Sequence, residues 1–214
     1  MAKEELVLLY QLDATSEKGL KIREILSRHN IRAKTISHAM LNQTIGHLAE
    51  LPGHASHPSQ YDGEPIPDEV LLMKDLSDTR IDRLLKDFRE NGVSRIDLKA
   101  VVTPHNQKWT LLDLISELRQ EHAVMERFNQ LHQSVQMADR LLAGDAPSDF
   151  AAASEVAILT PASQNLSAAV RESRALLSTR ELPAMEEIDA ILARLKSALV
   201  NYQAHLANYQ AQKN

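Results

Sequence analysis

The chain has 214 residues, of which 43% are hydrophobic and 25% charged, with no cysteine and a formal net charge of −5. This length suffices for one large or two small domains with buried cores, and the interspersed charges argue against disorder. The lack of cysteine excludes disulfides, thiolate-held zinc or iron–sulfur clusters, and a thiol nucleophile. The acidic balance, without any run of lysine and arginine, argues against nucleic-acid binding.

No stretch of the sequence has the features of a membrane span or a secretory signal. The longest apolar runs are about five residues, whereas a membrane-spanning helix needs roughly 20. The N-terminal residues MAKEELVLL put acidic side chains before a strand-like run and lack the basic flank of a signal peptide. We therefore expect a soluble, cytoplasmic protein with no membrane partner.

Strand-like and helix-like patterns alternate over the first half of the chain. The continuous apolar run LVLLY (6–10) predicts a central strand that is buried on both faces. A helix follows, capped by Thr15 or Ser16 and ended by Asn30. Apolar and basic residues alternate in IRAKTI (31–36), which predicts a second strand at the edge of the sheet.

The same alternation continues beyond the second strand. A second helix is predicted over 37–51, and residues 52–67 form a polar loop that holds four of the eight prolines. Such a length is typical of a lid or an Ω-loop. The third strand is expected at 70–73, the third helix at 77–91 and the fourth strand at 96–102. Four successive strand–helix units predict an α/β layered sheet domain, with a ferredoxin-like α+β arrangement as the alternative.

The composition changes after His122, where alanine becomes common and strand patterns end. A helix that begins at Thr110 is expected to continue at near-heptad spacing as far as 144–147. Two or three further helices are expected near residues 149–159, 161–177 and 183–210. We predict an α/β domain over 1–122 and a helical bundle or dimerisation region over 123–214.

The last predicted helix carries an apolar stripe that is wide enough to require burial. The stripe consists of Met185, Ile188, Ile191, Leu192, Leu195, Leu199, Tyr202, Leu206 and Tyr209. An antiparallel bundle or a dimerisation arm would bury it. We therefore expect a homo-oligomer, or a protein partner that binds through the C-terminal helices.

The stretch VVTPHNQKWTLLDL (101–114) places the single tryptophan directly before a helix. In a structural interpretation, Thr110 is the N-cap, Asp113 completes a capping box, and Trp109 forms a hydrophobic staple with Leu114. In a functional interpretation, the exposed amides and the dipole of the helix bind a phosphate, a carboxylate or an acidic peptide. The structural interpretation is favoured because each residue has a local explanation.

Four of the nine histidines fall within 20 residues, and the spacing of His54 and His57 lets both imidazoles reach one metal ion. His47 is the third candidate ligand, and Asp62 and Glu64 are alternatives to it. This set indicates a metal-dependent hydrolase as an alternative function, although loop histidines are more often simply solvated. GxSxG, P-loop and GxGxxG motifs are absent, and we expect no cofactor.

Four stretches carry a family resemblance: 7–10, 40–46, 64–67, and 95–104 followed by Asn106, Trp109 and Thr110. On these stretches, residues 6–122 resemble a small prokaryotic domain-of-unknown-function family of the DUF3783 type. The resemblance implies a compact domain of strands and helices. It implies no known reaction, substrate or partner.

Short polar side chains on the second predicted helix and after the fourth predicted strand are of the kind that line a ligand pocket at strand ends. The candidate ligand-binding residues are Asn42, Gln43, Thr44, Thr103, His105, Asn106, Lys108 and Trp109. We predict a non-enzymatic binding, regulatory or protein-interaction module that holds a small anion or a peptide at 103–110. A purely structural adaptor is a third interpretation.

Overall fold

The computed structural model describes residues 4–143, 160–180 and 183–213. Four strands form one mixed sheet with the order β2-β1-β3-β4. The strands are β1 (Leu6–Tyr10), β2 (Arg32–Ile36), β3 (Val70–Lys74) and β4 (Leu98–Val101). β1 pairs in parallel with β2 and antiparallel with β3, and β3 pairs in parallel with β4.

The sheet confirms the α/β fold class and the first two strand predictions. β1 is buried along its whole length and lies in the interior of the sheet, while β2 lies at one edge. In a split βαβ unit, another strand lies between the two parallel strands. Here each parallel pair consists of direct neighbours, which excludes the ferredoxin-like alternative.

Helices α1 (Glu17–Arg28) and α3 (Asp78–Glu90) pack together on one face of the sheet. Ser16 and Ser77 cap them, each accepting a hydrogen bond from a first-turn amide. Asn30 has a φ of 55° and follows the end of α1, as predicted. The core on this face contains Val7, Leu9, Leu71 and Met73 of the sheet with Ile22, Leu26, Leu84 and Phe88 of the helices.

The opposite face holds the short helix α2 (Ile45–Leu48) and the first turns of α4 (Leu111–Ala143). The prediction of one helix over 37–51 is therefore wrong. A single 3-10 turn, His38–Met40, is followed by irregular backbone up to α2. The carbonyl groups of Leu41 and Gln43 accept hydrogen bonds from the first amides of α4, so this backbone bonds to a distant segment instead of continuing as a helix.

The chain divides into two compact units, Met1–His122 and Ala123–Asn214. The second unit contains the later turns of α4 together with α5 (Pro161–Leu177) and α6 (Met185–Lys213). Most of the predicted apolar stripe of α6 is buried in this unit against residues such as Leu131 and Leu166. The predicted helix break at 144–147 and the predicted helix near 149–159 lie outside the described residues.

Helix α4 extends to Ala143, as the near-heptad pattern predicted. Within the described residues, no helix combines the length and the apolar character that crossing a bilayer requires.

Candidate functional site

The corner at 103–110, where the chain turns from β4 into α4, ends in a capping box. Thr110 Oγ1 accepts a hydrogen bond from Asp113 N at 3.0 Å, and Asp113 Oδ2 accepts from Thr110 N at 3.1 Å. Trp109 and Leu114 pack into the same hydrophobic core, as the staple predicted. The structural interpretation of this corner is therefore confirmed.

The first amides of α4 already have acceptors within the protein. Leu111 N donates to Gln43 O at 3.0 Å, and Leu112 N donates to Leu41 O at 3.1 Å. Asp113 N is bonded to Thr110, as described above. The anion hypothesis depended on exposed amides at this helix end, and these amides are not available for a ligand.

The polar residues that follow β4 stabilise their own turn. Asn106, which is 8% exposed, accepts from Thr103 N at 2.9 Å and donates from Nδ2 to Val101 O at 2.9 Å. The ring of His105 packs edge-on against Trp109 at a centroid distance of 5.0 Å. Lys108 is exposed, whereas the side chain of Asn106 is already hydrogen-bonded within the turn.

Gln43 connects the corner to the long loop 52–67. Its side chain is 7% exposed, donates from Nε2 to His57 O at 2.9 Å, and accepts from His57 N at 2.7 Å. Thr44 caps α2 and forms an isolated β-bridge with Thr110, whereas Asn42 is half-buried. The two predicted polar segments therefore meet near Gln43, but they meet through hydrogen bonds within the protein.

The histidines of the loop make separate local contacts. His47 Nδ1 lies 3.3 Å from His54 O, and His57 Nδ1 lies 3.0 Å from Ser59 Oγ. The His54 ring packs directly on Gly46, where an added Cβ would come within 2.3 Å of the ring. Across the part of the chain that the structure describes, no three histidine or carboxylate side chains are placed to hold a metal ion. The proposed ligand set of His47, His54 and His57, with Asp62 or Glu64 as alternatives, is therefore not assembled.

A different concave surface lies between the C-terminal end of α3 and the start of β4. This α3–β4 groove encloses about 300 Å³ and is lined by Leu85, Phe88, Arg89, Val93, Ser94, Arg95, Ile96 and Lys99. Four of these side chains, called the floor below, are apolar and belong to the α1–α3 core or pack against it. Three others, Arg89, Arg95 and Lys99, are basic. The groove thus combines apolar surface with positive charge.

The cations of the groove are only partly neutralised. Arg95 Nε pairs with Asp97 Oδ1 at 2.7 Å, and both side chains are exposed. Lys99 Nζ donates to the carbonyl of Ile96, and burial, followed by the nearby Arg95 guanidinium, lowers the pKa of the Lys99 ammonium. Arg89 has no ion-pair partner within residues 4–143, 160–180 and 183–213. The helix dipole explains a cation at the last turn of α3 but explains neither Arg95 nor Lys99.

Two further lysines extend the basic surface beyond the groove. Lys18 and Lys21 line an adjoining cavity of about 280 Å³ that shares Val93 and Ser94 with the groove, and Glu17 of the same lining pairs with Lys21 at 2.8 Å. Lys18 Nζ also donates to Arg95 O at 3.1 Å and pairs with Glu69. A locally positive surface therefore occurs on a chain whose formal net charge is −5.

The groove has no distinctive pattern in the sequence. Its three cations are spaced along residues 89–99 without a basic cluster, and of its apolar residues Leu85 and Phe88 fit the ordinary buried stripe of a helix. The available signal was Gly92, whose φ of 71° allows the chain to turn back from α3. That turn brings Arg95 and Lys99 beside Phe88.

Comparison with known families matches one segment of the chain. Residues 69–125 match the family described as Domain of unknown function (DUF3783). The resemblance predicted from the sequence is confirmed for these residues. All residues that line the groove lie inside the DUF3783 segment.

The DUF3783 segment contains β3, α3, β4 and the first turns of α4. The description of the family states no activity. No curated protein and no solved structure matches the chain.

Proposed function

We propose that this protein is a binding module whose α3–β4 groove takes up an acidic peptide segment that carries an apolar side chain. The observation behind this proposal is the juxtaposition of an apolar floor and three basic side chains in one groove. A ligand with both an apolar and an acidic group can contact the floor and the basic side chains together. A purely apolar or a purely ionic ligand can contact only one of the two.

The energetics favour a weak and reversible interaction. Burying one leucine-sized side chain on the floor contributes about 1.5–3 kcal/mol. Ion pairs at an exposed rim contribute about 0–1 kcal/mol each, because solvent screens them. The loss of translational and side-chain freedom opposes binding. The expected affinity is that of a transient, regulatory type of contact.

The groove residues support binding better than catalysis. Ser94 supplies the hydroxyl group of the lining, and none of the lining residues is a histidine or a carboxylate that would activate it. The guanidinium groups of Arg89 and Arg95 are permanent cations and therefore poor proton carriers at neutral pH. Guanidinium groups bind carboxylates well, through paired and charge-assisted hydrogen bonds.

The proposal is tested by selecting a displayed library of random seven-residue peptides against the full chain. We expect enrichment of peptides that combine an aliphatic residue with aspartate or glutamate. Arg95→Glu should weaken the enriched peptides by about threefold to tenfold, because the variant replaces an attractive charge with a repulsive one at an exposed position.

Lys108→Glu is the matched control for the charge reversal. Lys108 is an exposed loop cation of the same unit, and it belongs to the loop 103–110 that was predicted to hold an anion. We expect this variant to bind within twofold of the wild type. Loss of binding in Lys108→Glu together with full binding in Arg95→Glu would favour the loop and refute the groove.

A further inference from the structure

The outer edge of β4 is open. β4 is the last strand of the sheet and pairs only with β3, and no backbone hydrogen bond reaches its outer side from any residue that the structure describes. Open strand edges accept additional strands, and natural proteins therefore usually cover them. This open edge borders the α3–β4 groove, because Lys99 belongs to both.

The hydrogen bonds of the neighbouring residues define which groups face outward. Val102 N donates to Met73 O at 2.8 Å, so the N–H of Val102 points toward β3. Backbone groups alternate in direction along a strand, and the N–H of Val101 therefore points away from β3. The carbonyl of Val101 also points outward, because it accepts from Asn106 Nδ2 at 2.9 Å. The outward groups that remain are the N–H and C=O of Lys99 and the N–H of Val101.

The other edge of the sheet is covered by side chains. On β2, Lys34 Nζ donates to Leu48 O at 2.8 Å and pairs with Glu50 at 2.9 Å, and Arg32 also pairs with Glu50. Charged side chains of this kind block the pairing of another strand. On β4, Lys99 Nζ instead bonds to the carbonyl of Ile96, and the apolar residue Val101 is 37% exposed.

Side chains of an added strand would reach the groove. Lys99 and Val101 lie opposite Leu71 and Met73 in the parallel register, and both of those residues belong to the α1–α3 core. Every second side chain of a strand beside β4 would therefore point to the face that contains the groove. An apolar side chain can contact the floor there, and a carboxylate two positions away can approach the cations.

We infer that the acidic peptide binds in extended conformation as a fifth strand on the outer edge of β4. It bonds to the N–H and C=O of Lys99 and to the N–H of Val101. Its alternate side chains place an aliphatic group on the floor and a carboxylate near Arg89 and Arg95. Main-chain bonds supply affinity and the groove supplies specificity, as in other cases of strand addition. This inference rests on the proposed function and specifies the form of its ligand.

Asn106 limits the length of the added strand. Its side-chain amide donates a hydrogen bond to the carbonyl of Val101, so this carbonyl is not free to bond to an added strand. Pairing therefore ends at Val101. The bound segment therefore pairs along Leu98–Val101 only, and short peptides should bind as well as long ones.

The first experiment uses the seven-residue peptide TVTETVT, acetylated and amidated, with the full chain. Valine and glutamate share one face of the extended peptide, and threonine occupies the other. Two N-methylated versions are compared by calorimetry, one methylated at the valines and the glutamate and the other at the central threonines. In a paired strand, the N–H groups of alternate residues point toward the neighbouring strand and away from it. The version methylated at the N–H groups that point toward β4 should lose at least tenfold in affinity, and the other version should stay within threefold.

The second experiment removes an outward donor from the protein. Val101→Pro deletes the N–H that faces the peptide and leaves the ladder to β3 intact, which is the position where an edge strand tolerates proline. We expect a loss of about threefold to tenfold in affinity, as the removal of one hydrogen bond predicts. Val101→Thr retains the N–H and the branched shape, and it should bind as the wild type does. Thermal unfolding of both variants verifies that they are folded.

The outcomes distinguish the two proposals. Equal binding of the two methylated peptides, or full binding by Val101→Pro, refutes strand addition. In that case the groove proposal survives if Arg95→Glu still weakens TVTETVT. Unchanged binding in Arg95→Glu refutes the groove itself. Absence of TVTETVT binding, while selected peptides bind, refutes the extended form alone.

Discussion

At the scale of single residues, Gln43 shows how a polar side chain predicted to bind a ligand can instead stabilise the fold. Its side-chain amide forms hydrogen bonds with the backbone N–H and C=O of His57. Its backbone carbonyl accepts a hydrogen bond from Leu111 N. Buried amides of this kind require partners, because an unpaired polar group in the interior is costly. The loop 52–67 supplies these partners.

Gln43→Ala should lower the free energy of unfolding by about 1–3 kcal/mol, because the N–H and C=O of His57 lose their partners. Urea unfolding measures this loss. Asn42→Ala is the matched control, since Asn42 is a half-buried neighbour and should change stability by at most about 0.5 kcal/mol. Similar losses in both variants would show that Gln43 does not hold the loop.

At this scale, residues whose partners are close in sequence could be predicted, and residues with distant partners could not. The capping box of Thr110 and Asp113 lies within four residues, and it was predicted correctly. The partners of Gln43 lie 14 residues away, and its role was not predicted. A polar side chain looks the same in the sequence whether it binds a ligand or a backbone segment.

At the scale of elements, the same contrast explains the predicted helices. α1 and α3 have local caps and clear apolar faces, and both were predicted. The helix over 37–51 had a suitable apolar pattern, but tertiary bonds to Leu111 and Leu112 interrupt it. The α3–β4 groove is lined by residues 85–99, which are close in sequence, and the turn at Gly92 brings them together in space. A periodicity pattern over such a window predicts the helix and the strand, but it does not predict how the one packs against the other.

The edge strand β2 yields a prediction about pH. Hydrogen bonds from Arg32 and then Lys34 lower the pKa of the Glu50 carboxyl to about 2. A lowered pKa in the folded state stabilises the protein above the unfolded pKa, and this contribution is lost as the pH falls from about 4.5 toward 2. Glu50 is half exposed, so solvent screening limits the effect to about 1 kcal/mol or less.

Glu50→Gln should therefore be less stable than the wild type at pH 7 by a few tenths to about 1 kcal/mol, and this difference should shrink as the pH falls toward 2. Chemical unfolding at both pH values measures the difference. Glu117→Gln, on the exposed face of α4, should match the wild type at pH 7. A difference between Glu50→Gln and the wild type that is as large at pH 2 as at pH 7 would show that charge pairing is not the cause.

At the scale of the whole molecule, the cores follow the two compact units. The buried cluster around Leu195 consists of residues from 124 to 209, whereas the two clusters of the sheet consist of residues before 119. Each of the two compact units thus has hydrophobic clusters of its own. The apolar stripe of α6 finds its burial within its own unit, and the predicted homo-oligomer remains for light scattering to measure.

Because the cores are separate, we expect a substitution that destabilises one unit to leave the stability of the other unchanged. Leu195 is fully buried in the helical core, and Leu195→Ala should cost about 2–5 kcal/mol through lost burial and the resulting cavity. Hydrogen exchange should then accelerate for the amides of α6 and remain unchanged for β1. Val200→Ala, at a 62% exposed position of the same helix, should alter neither. Equal acceleration in α6 and β1 would mean that the chain unfolds as one cooperative unit, because two-state unfolding exposes every core amide together.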